Sequence, residues 1–344
     1  MKKRMLLILP VACMLLWSGA ANAQDSFKVE KALPEINSKI TVFTGAPAGF
    51  DPVKASDDEL LAYGYPRRPD ISEKKAYSYW LKAVSCTRVN PDFTPVPGRF
   101  HNIQNLKSLG TVDSTTTYYT SGNWSGYALY DASPGTEKYR EVVGVWPVPN
   151  VGSQASTEAK TDMYSSMWVG IDGDGTSDLI QDGTEQDWNA GTAFYAAWVE
   201  MLPAAELRIS TSAFPIQPGD FLYAYSEVVV PTSGTTYGKY YIANYNTRLA
   251  ASATINLPSS VSYHGESAEW IVERTQVNGS FENPMPRYGH AYMDAAYAYR
   301  TTGGGICYLC EANQNITMVN GSDNLSSVGE QDLDSMLFTW DNYQ

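Results

Sequence analysis

Ala268-Glu269-Trp270-Ile271-Val272-Glu273 decides the fold class. Side chains alternate between the two faces of a strand. Glu269, Ile271 and Glu273 therefore share one face, and Trp270 and Val272 the other. Working outward, further short β-prone runs occur at Met163 to Ile171, Phe194 to Met201, Phe221 to Val230, Tyr240 to Tyr245 and Ala253 to Leu257. Clusters of Gly, Pro, Asn, Ser and Asp separate them. The reading is all-β, an antiparallel β-sandwich or barrel.

The 344 residues suffice for one or two domains. Charge divides them. Gln24 to Thr111 holds 12 Lys/Arg and 10 Asp/Glu, a net of +2. Val112 to Gln344 holds 9 Lys/Arg and 27 Asp/Glu, a net of −18. Such an acidic chain is a poor partner for nucleic acid or an anionic membrane, since both reward positive charge. In the basic unit, Asp57 to Gly64 reads as a capped helix ending on glycine, and Ser72 to Val84 as a second helix. Asn90 to Pro97 is proline-rich and extended, and Val112 to Thr117 reads as a linker.

The first residues read as an address. Lys2-Lys3-Arg4 is a positive start, Met5 to Trp17 is apolar, and Ala21-Asn22-Ala23 gives a cleavage signature. Residues 1–23 are thus expected to be a secretory signal peptide. The expected localisation is secreted, extracellular or periplasmic, with no membrane span afterwards. Cys86, Cys307 and Cys310 follow the signal. Cys307 and Cys310 have CxxC spacing but no second Cys/His pair, so a local disulfide or inert thiols are expected rather than zinc.

Three histidines, no H-E-x-x-H and no G-x-S-x-G argue against zinc-protease and serine-hydrolase chemistry. Asp172-Gly173-Asp174-Gly175-Thr176-Ser177-Asp178 alternates oxygen ligands. It lacks the glycine and glutamate that a calcium loop needs at its sixth and twelfth positions, where Ser177 and Gly183 stand. No metal or cofactor is expected.

Five motifs in order carry a resemblance: Asn123-Trp124-Ser125-Gly126-Tyr127, Trp168-Val169-Gly170-Ile171-Asp172-Gly173, Leu179-Ile180-Gln181-Asp182-Gly183, Tyr195-Ala196-Ala197-Trp198-Val199-Glu200 and Ala268 to Glu273. Together they resemble the glutamic peptidases, or eqolisins. The resemblance implies a secreted, acid-active endopeptidase made as a precursor, with a sandwich similar to the legume-lectin fold. It implies a catalytic pair, Gln181 and Glu269, and places Trp124, Trp168, Asp172 and Glu200 as substrate-binding. Asp182 replaces the family threonine, and Arg274 an acidic residue.

The implied chemistry is coherent. An ionised Glu269 can take a proton from water and return it to the leaving amine. The Gln181 amide can donate to the oxyanion. Residues 24–117 are then expected to be a short, mainly helical or irregular propeptide, and 118–344 the peptidase domain. The partners are protein or peptide substrates and the chain's own propeptide, on a monomer. Two other readings fit the fold class: a carbohydrate-binding lectin-like sandwich, and a retaining glycosidase using Glu200 and Glu269.

Overall fold

A computed structural model describes residues 28–33, 39–101, 107–111, 116–131, 138–153, 161–279, 284–301 and 305–342. The signal peptide and most of the expected linker lie outside them. The six β-prone runs all form strands, within a few residues at their ends.

Two antiparallel sheets pack face to face. The first runs in the order Ile306–Tyr308, His290–Arg300, Tyr139–Pro147, Phe221–Val229, Tyr237–Asn244 and Leu249–Asn256. The second runs Phe93–Pro95, Leu207–Ile209, Thr192–Met201, Ile180–Asn189, Ser166–Ile171, Ser267–Glu273, Trp124–Tyr130 and Gln314–Asn320. Between them lies a core that includes Trp146, Val169, Ile180, Val199, Ile242 and Trp270. The alternation of Ser267–Glu273 is as expected: Ala268, Trp270 and Val272 face this core.

Burial of apolar area between the sheets stabilises the sandwich at roughly 25 cal/mol per Å². Trp270 is the sharpest case. It is fully buried, and its Nε1 donates to the Val143 carbonyl across the sheets at 2.8 Å. Trp270→Ala should cost about 3–5 kcal/mol, read as a lowered midpoint in denaturant, because it opens a cavity and strands a buried acceptor. An unshifted midpoint would show that the core is not built on this contact.

Asp182 also lies between the sheets. It accepts from Ser226 Oγ at 2.8 Å and the Tyr225 N–H at 3.3 Å. Burial pushes its carboxyl up to about 8.

The N-terminal unit is woven onto both sheets. Helix Asp57–Ala62 has Ser56 as its cap, in a reciprocal box with Glu59. Gly64 follows at φ +68°, with the Phe43 ring where a Cβ would sit, so glycine is required. Helix Lys74–Val84 buries Ala76, Trp80, Ala83 and Val84 against Tyr223, Tyr225, Tyr241 and Tyr297 of the first sheet. Strands accompany the two helices. Lys28–Ala32 and Lys39–Phe43 extend the first sheet beyond Leu249–Asn256, and Phe93–Pro95 extends the second.

The C-terminal residues, which carry no motif, are structural. Gln314–Asn320 pairs with Trp124–Tyr130, and Ser335–Trp340 joins Asp323–Asp332 to His290–Arg300. No disulfide joins Cys86, Cys307 and Cys310, of which the first two are buried and the third is exposed.

Candidate active site

The outward face of the second sheet carries the candidate residues in register. Gly170 pairs with Gln181 on one side and Glu269 on the other, and Gln181 pairs with Glu200. One row therefore reads Glu269, Gly170, Gln181, Glu200. Neighbouring strands lie about 4.8 Å apart, so Gln181 and Glu269 stand roughly 10 Å apart at the backbone, across a glycine. A Cβ at Gly170 would come within 2.9 Å of both the Trp168 ring and Leu179, so a side chain there would crowd this gap. The next row holds Ile271, Trp168, Gly183 and Trp198. A third holds Glu273, Ser166 and Glu185.

Trp168 Nε1 donates to Glu273 Oε2 at 2.8 Å, and Asn123 Nδ2 donates to Glu273 Oε1 at 2.9 Å. The Trp124 ring meets Trp168 edge to face at 5.1 Å. These tryptophans are buried, along with Trp198.

What covers them is the N-terminal unit. His101 stacks on Trp198, with centroids 3.9 Å apart and planes 6° from parallel. Its Nδ1 lies 2.7 Å from Glu273 and its Nε2 3.0 Å from Glu206. Its backbone N–H donates to Glu200 at 3.2 Å, and its carbonyl accepts from Gln181 Nε2 at 3.4 Å. Gln181 Nε2 also donates to Glu200 Oε2 at 2.6 Å. Arg99 pairs with Asp187 at 2.6 Å, Glu185 at 2.8 Å and Glu206 at 2.9 Å. Arg99 and His101 thus form a plug seated among the carboxylates of this face.

The electrostatics follow. Burial opposes a charge on His101, yet Glu273, Glu206 and Glu200 outweigh it and push its pKa up to about 10. His101 is therefore an imidazolium that donates from both nitrogens. Burial raises Glu206, but Arg99 and His101 outweigh it and hold it below the usual carboxylate range. Burial lifts Glu200 well above that range, with the His101 charge offsetting part. Burial likewise lifts Glu185 to about 8 against the pull of Arg99.

Glu269 stands apart from these pairs. Both its oxygens are buried and without a hydrogen-bond partner among the described residues. Burial raises its carboxyl well above the ordinary value, and Asp172, Asp174 and Asp178 add to the shift while the Ser267 hydroxyl opposes it.

Asp172 lies off this face, at φ +68° past the end of Ser166–Ile171. Its carboxylate accepts from the N–H groups of His264, Gly265 and Glu266 at 3.2, 2.7 and 2.7 Å. It thereby holds the chain leading into Ser267–Glu273, the strand that carries Glu269. Asp178 and His264 bring further ligand-type atoms within 4.8 Å, but the Asp172 oxygens are already engaged by that backbone.

Residues 122–339, more than half of the chain, match the Peptidase A4 family. The chain belongs to that family. It is thereby a glutamic endopeptidase in class, as the motifs implied. Among solved structures, the fold is similar to scytalido-glutamic peptidase with a transition state analog inhibitor. That match has a TM-score of 0.52 at 22% identity and covers 64% of this chain and 98% of that one. The same peptidase with a peptide-based transition state analog gives 0.50 and 21%, with the same coverage. Aspergilloglutamic peptidase from Aspergillus niger gives 0.43 and 24%, covering 52% and 99%. No curated protein matches.

Arg99, His101, Glu185 and Glu206 were not singled out from the sequence, and Glu273 was placed only on the strand face of Glu269. The basic charge of the N-terminal unit was the one available signal, and it does not say which cations enter the site.

Proposed function

We propose that the chain is the secreted precursor of an acid-active endopeptidase, with Glu269 as general base and acid and Gln181 as oxyanion donor. The observation that carries this reading is the row Glu269, Gly170, Gln181 on a single face, with a peptide segment seated against it. Ionised Glu269 deprotonates a water, which attacks the carbonyl carbon. The Gln181 amide stabilises the oxyanion, and Glu269 returns the proton to the leaving nitrogen. A glycosidase pair of Glu200 and Glu269 fits less well, because Gly170 and Gln181 stand between them in the row.

Residues 24–117 act as a propeptide in this reading. Support comes from the plug and from further ion pairs joining the basic unit to the acidic one: Arg67 with Glu141 at 3.1 Å, and Lys75 with Asp294 and Asp334 at 2.6 Å each. No helix among the described residues is long and apolar enough to cross a membrane.

The signs of the pKa shifts set the opening window. His101 lies above its ordinary value, so its contribution is complete below about 6.5 and is lost only as pH rises through about 10. Glu200 and Glu185 are also raised. Their contribution is complete below about 4.5 and is lost on alkalinisation, for Glu185 through about 8. Glu206 is lowered, so its contribution is lost only as pH falls below the ordinary carboxylate range. Mild acidification therefore leaves the plug seated, and release begins below about pH 4. The rate at which a new N-terminus appears, followed by mass spectrometry, should stay flat from about pH 7 to about pH 5 and rise below about pH 4. Maximal processing at about pH 6 would overturn this.

A further inference from the structure

The plug is seated in a way that blocking alone does not require. The His101 carbonyl, not its side chain, faces the Gln181 amide, and its backbone N–H is anchored on Glu200. The side chain fills a separate niche whose floor is Trp198 and whose two ends are Glu206 and Glu273. Arg99–Phe100 is extended, so Arg99 lies two residues back on the same side as His101. It meets a second carboxylate group, Glu185, Asp187 and Glu206.

We propose that these two niches are the specificity pockets of the peptidase, that they select Arg-x-His before the cleaved bond, and that the bond following His101 is the first one the precursor cuts. This rests on the assignment of Gln181 and Glu269 above.

The chemistry of the niches supports the choice of side chain. A flat imidazolium stacks on an indole face and donates from opposite edges to two carboxylates. Lysine offers a point charge with no plane to stack. Leucine would take one donor from each of the buried carboxylates Glu206 and Glu273, which a polar site penalises heavily. Among the described residues the body offers the Arg99 niche one cation, Arg208, which pairs with Glu185 and lies 3.9 Å from Glu206. An incoming guanidinium therefore has carboxylate charge left to neutralise.

The cut itself balances. Water oxygen bonds to the His101 carbonyl carbon, one water proton passes to Glu269, and the C–N bond breaks as that proton reaches the amine of the next residue. The products are a carboxyl group on His101 and a free amine, with no other reactant. The pairing of the following strands fits a cut there. Lys107–Thr111 pairs with Thr117–Ser121, which runs parallel to Gln314–Asn320. A first cut there leaves both strands paired in the second sheet, ahead of trimming to the end of the propeptide.

The test uses purified full-length chain, acidified until it hydrolyses peptides, and a mixed peptide library with cut positions read by mass spectrometry. Histidine immediately before the cut and arginine two residues earlier should each be enriched at least about tenfold, and the first new N-terminus should be Asn102. The Glu206→Gln variant should lower the His-over-Leu ratio of kcat/KM at least about tenfold. The wild-type library decides the matter if that variant misfolds. Cuts without this preference, in a protein whose Glu269→Gln variant is inert, overturn the pockets and leave the catalytic assignment standing. A wild-type chain that cuts nothing, or a Glu269→Gln variant that cuts as well as wild type, overturns both.

Discussion

Glu269→Gln should abolish peptide hydrolysis while leaving the fold intact. The substitution is isosteric, and burial disfavours a charge on the Glu269 carboxyl in the closed precursor, so an uncharged amide suits the same surroundings. What disappears is the base, and a general acid–base contributes about 10²–10⁴-fold. Gln181→Ala should lose about 10²–10³-fold through the missing oxyanion donor. The measurement is kcat/KM on a denatured protein after acid treatment, with circular dichroism to check the fold. Thiol- and serine-directed reagents and chelators should do little. Full turnover by folded Glu269→Gln protein would end the glutamic assignment.

Removing the plug should give the second largest effect. Arg99→Ala combined with His101→Ala deletes the two cations of the N-terminal unit that are seated among Glu185, Asp187, Glu206 and Glu273. Breaking a buried pair by removing one partner costs about 3–5 kcal/mol, because the other charge stays buried and unpaired. In this case the cost falls on the closed form alone, since water can enter once the segment lifts. The double variant should hydrolyse peptides without the activation lag of the wild type. Its N-terminal unit should also be clipped by an added protease under conditions where the wild type resists. An unchanged lag would show that latency resides elsewhere, for example in the helix Lys74–Val84 against the first sheet.

Both predictions concern one face of one sheet, and only part of that face was legible in the chain. The period-two pattern of Ala268 to Glu273 placed Glu269 and Glu273 together because alternation is a local property of any strand. The capped start and glycine stop of the helix Asp57–Ala62 were readable for the same reason: both signals lie within a few residues of the helix. The five motifs, compared with a known family, named Gln181 and Glu269. They also singled out Asp172, but not the bonds its carboxylate makes to the backbone of 264–266.

Sequence by itself determined the fold class, the two helices, the opposition of charge between the two units and the identity of the candidate pair. Tertiary structure alone decided that Gly170 separates Gln181 from Glu269, that the C-terminal residues complete the sheets, and that Arg99 and His101, among the cations of the N-terminal unit, enter the acidic site. The physical reason is range. His101 meets Glu200, Glu206 and Glu273 across 99, 105 and 172 residues of chain. No periodicity or composition encodes such a contact. It arises when Phe93–Pro95 pairs with Leu207–Ile209 and carries Arg99 and His101 across the acidic face.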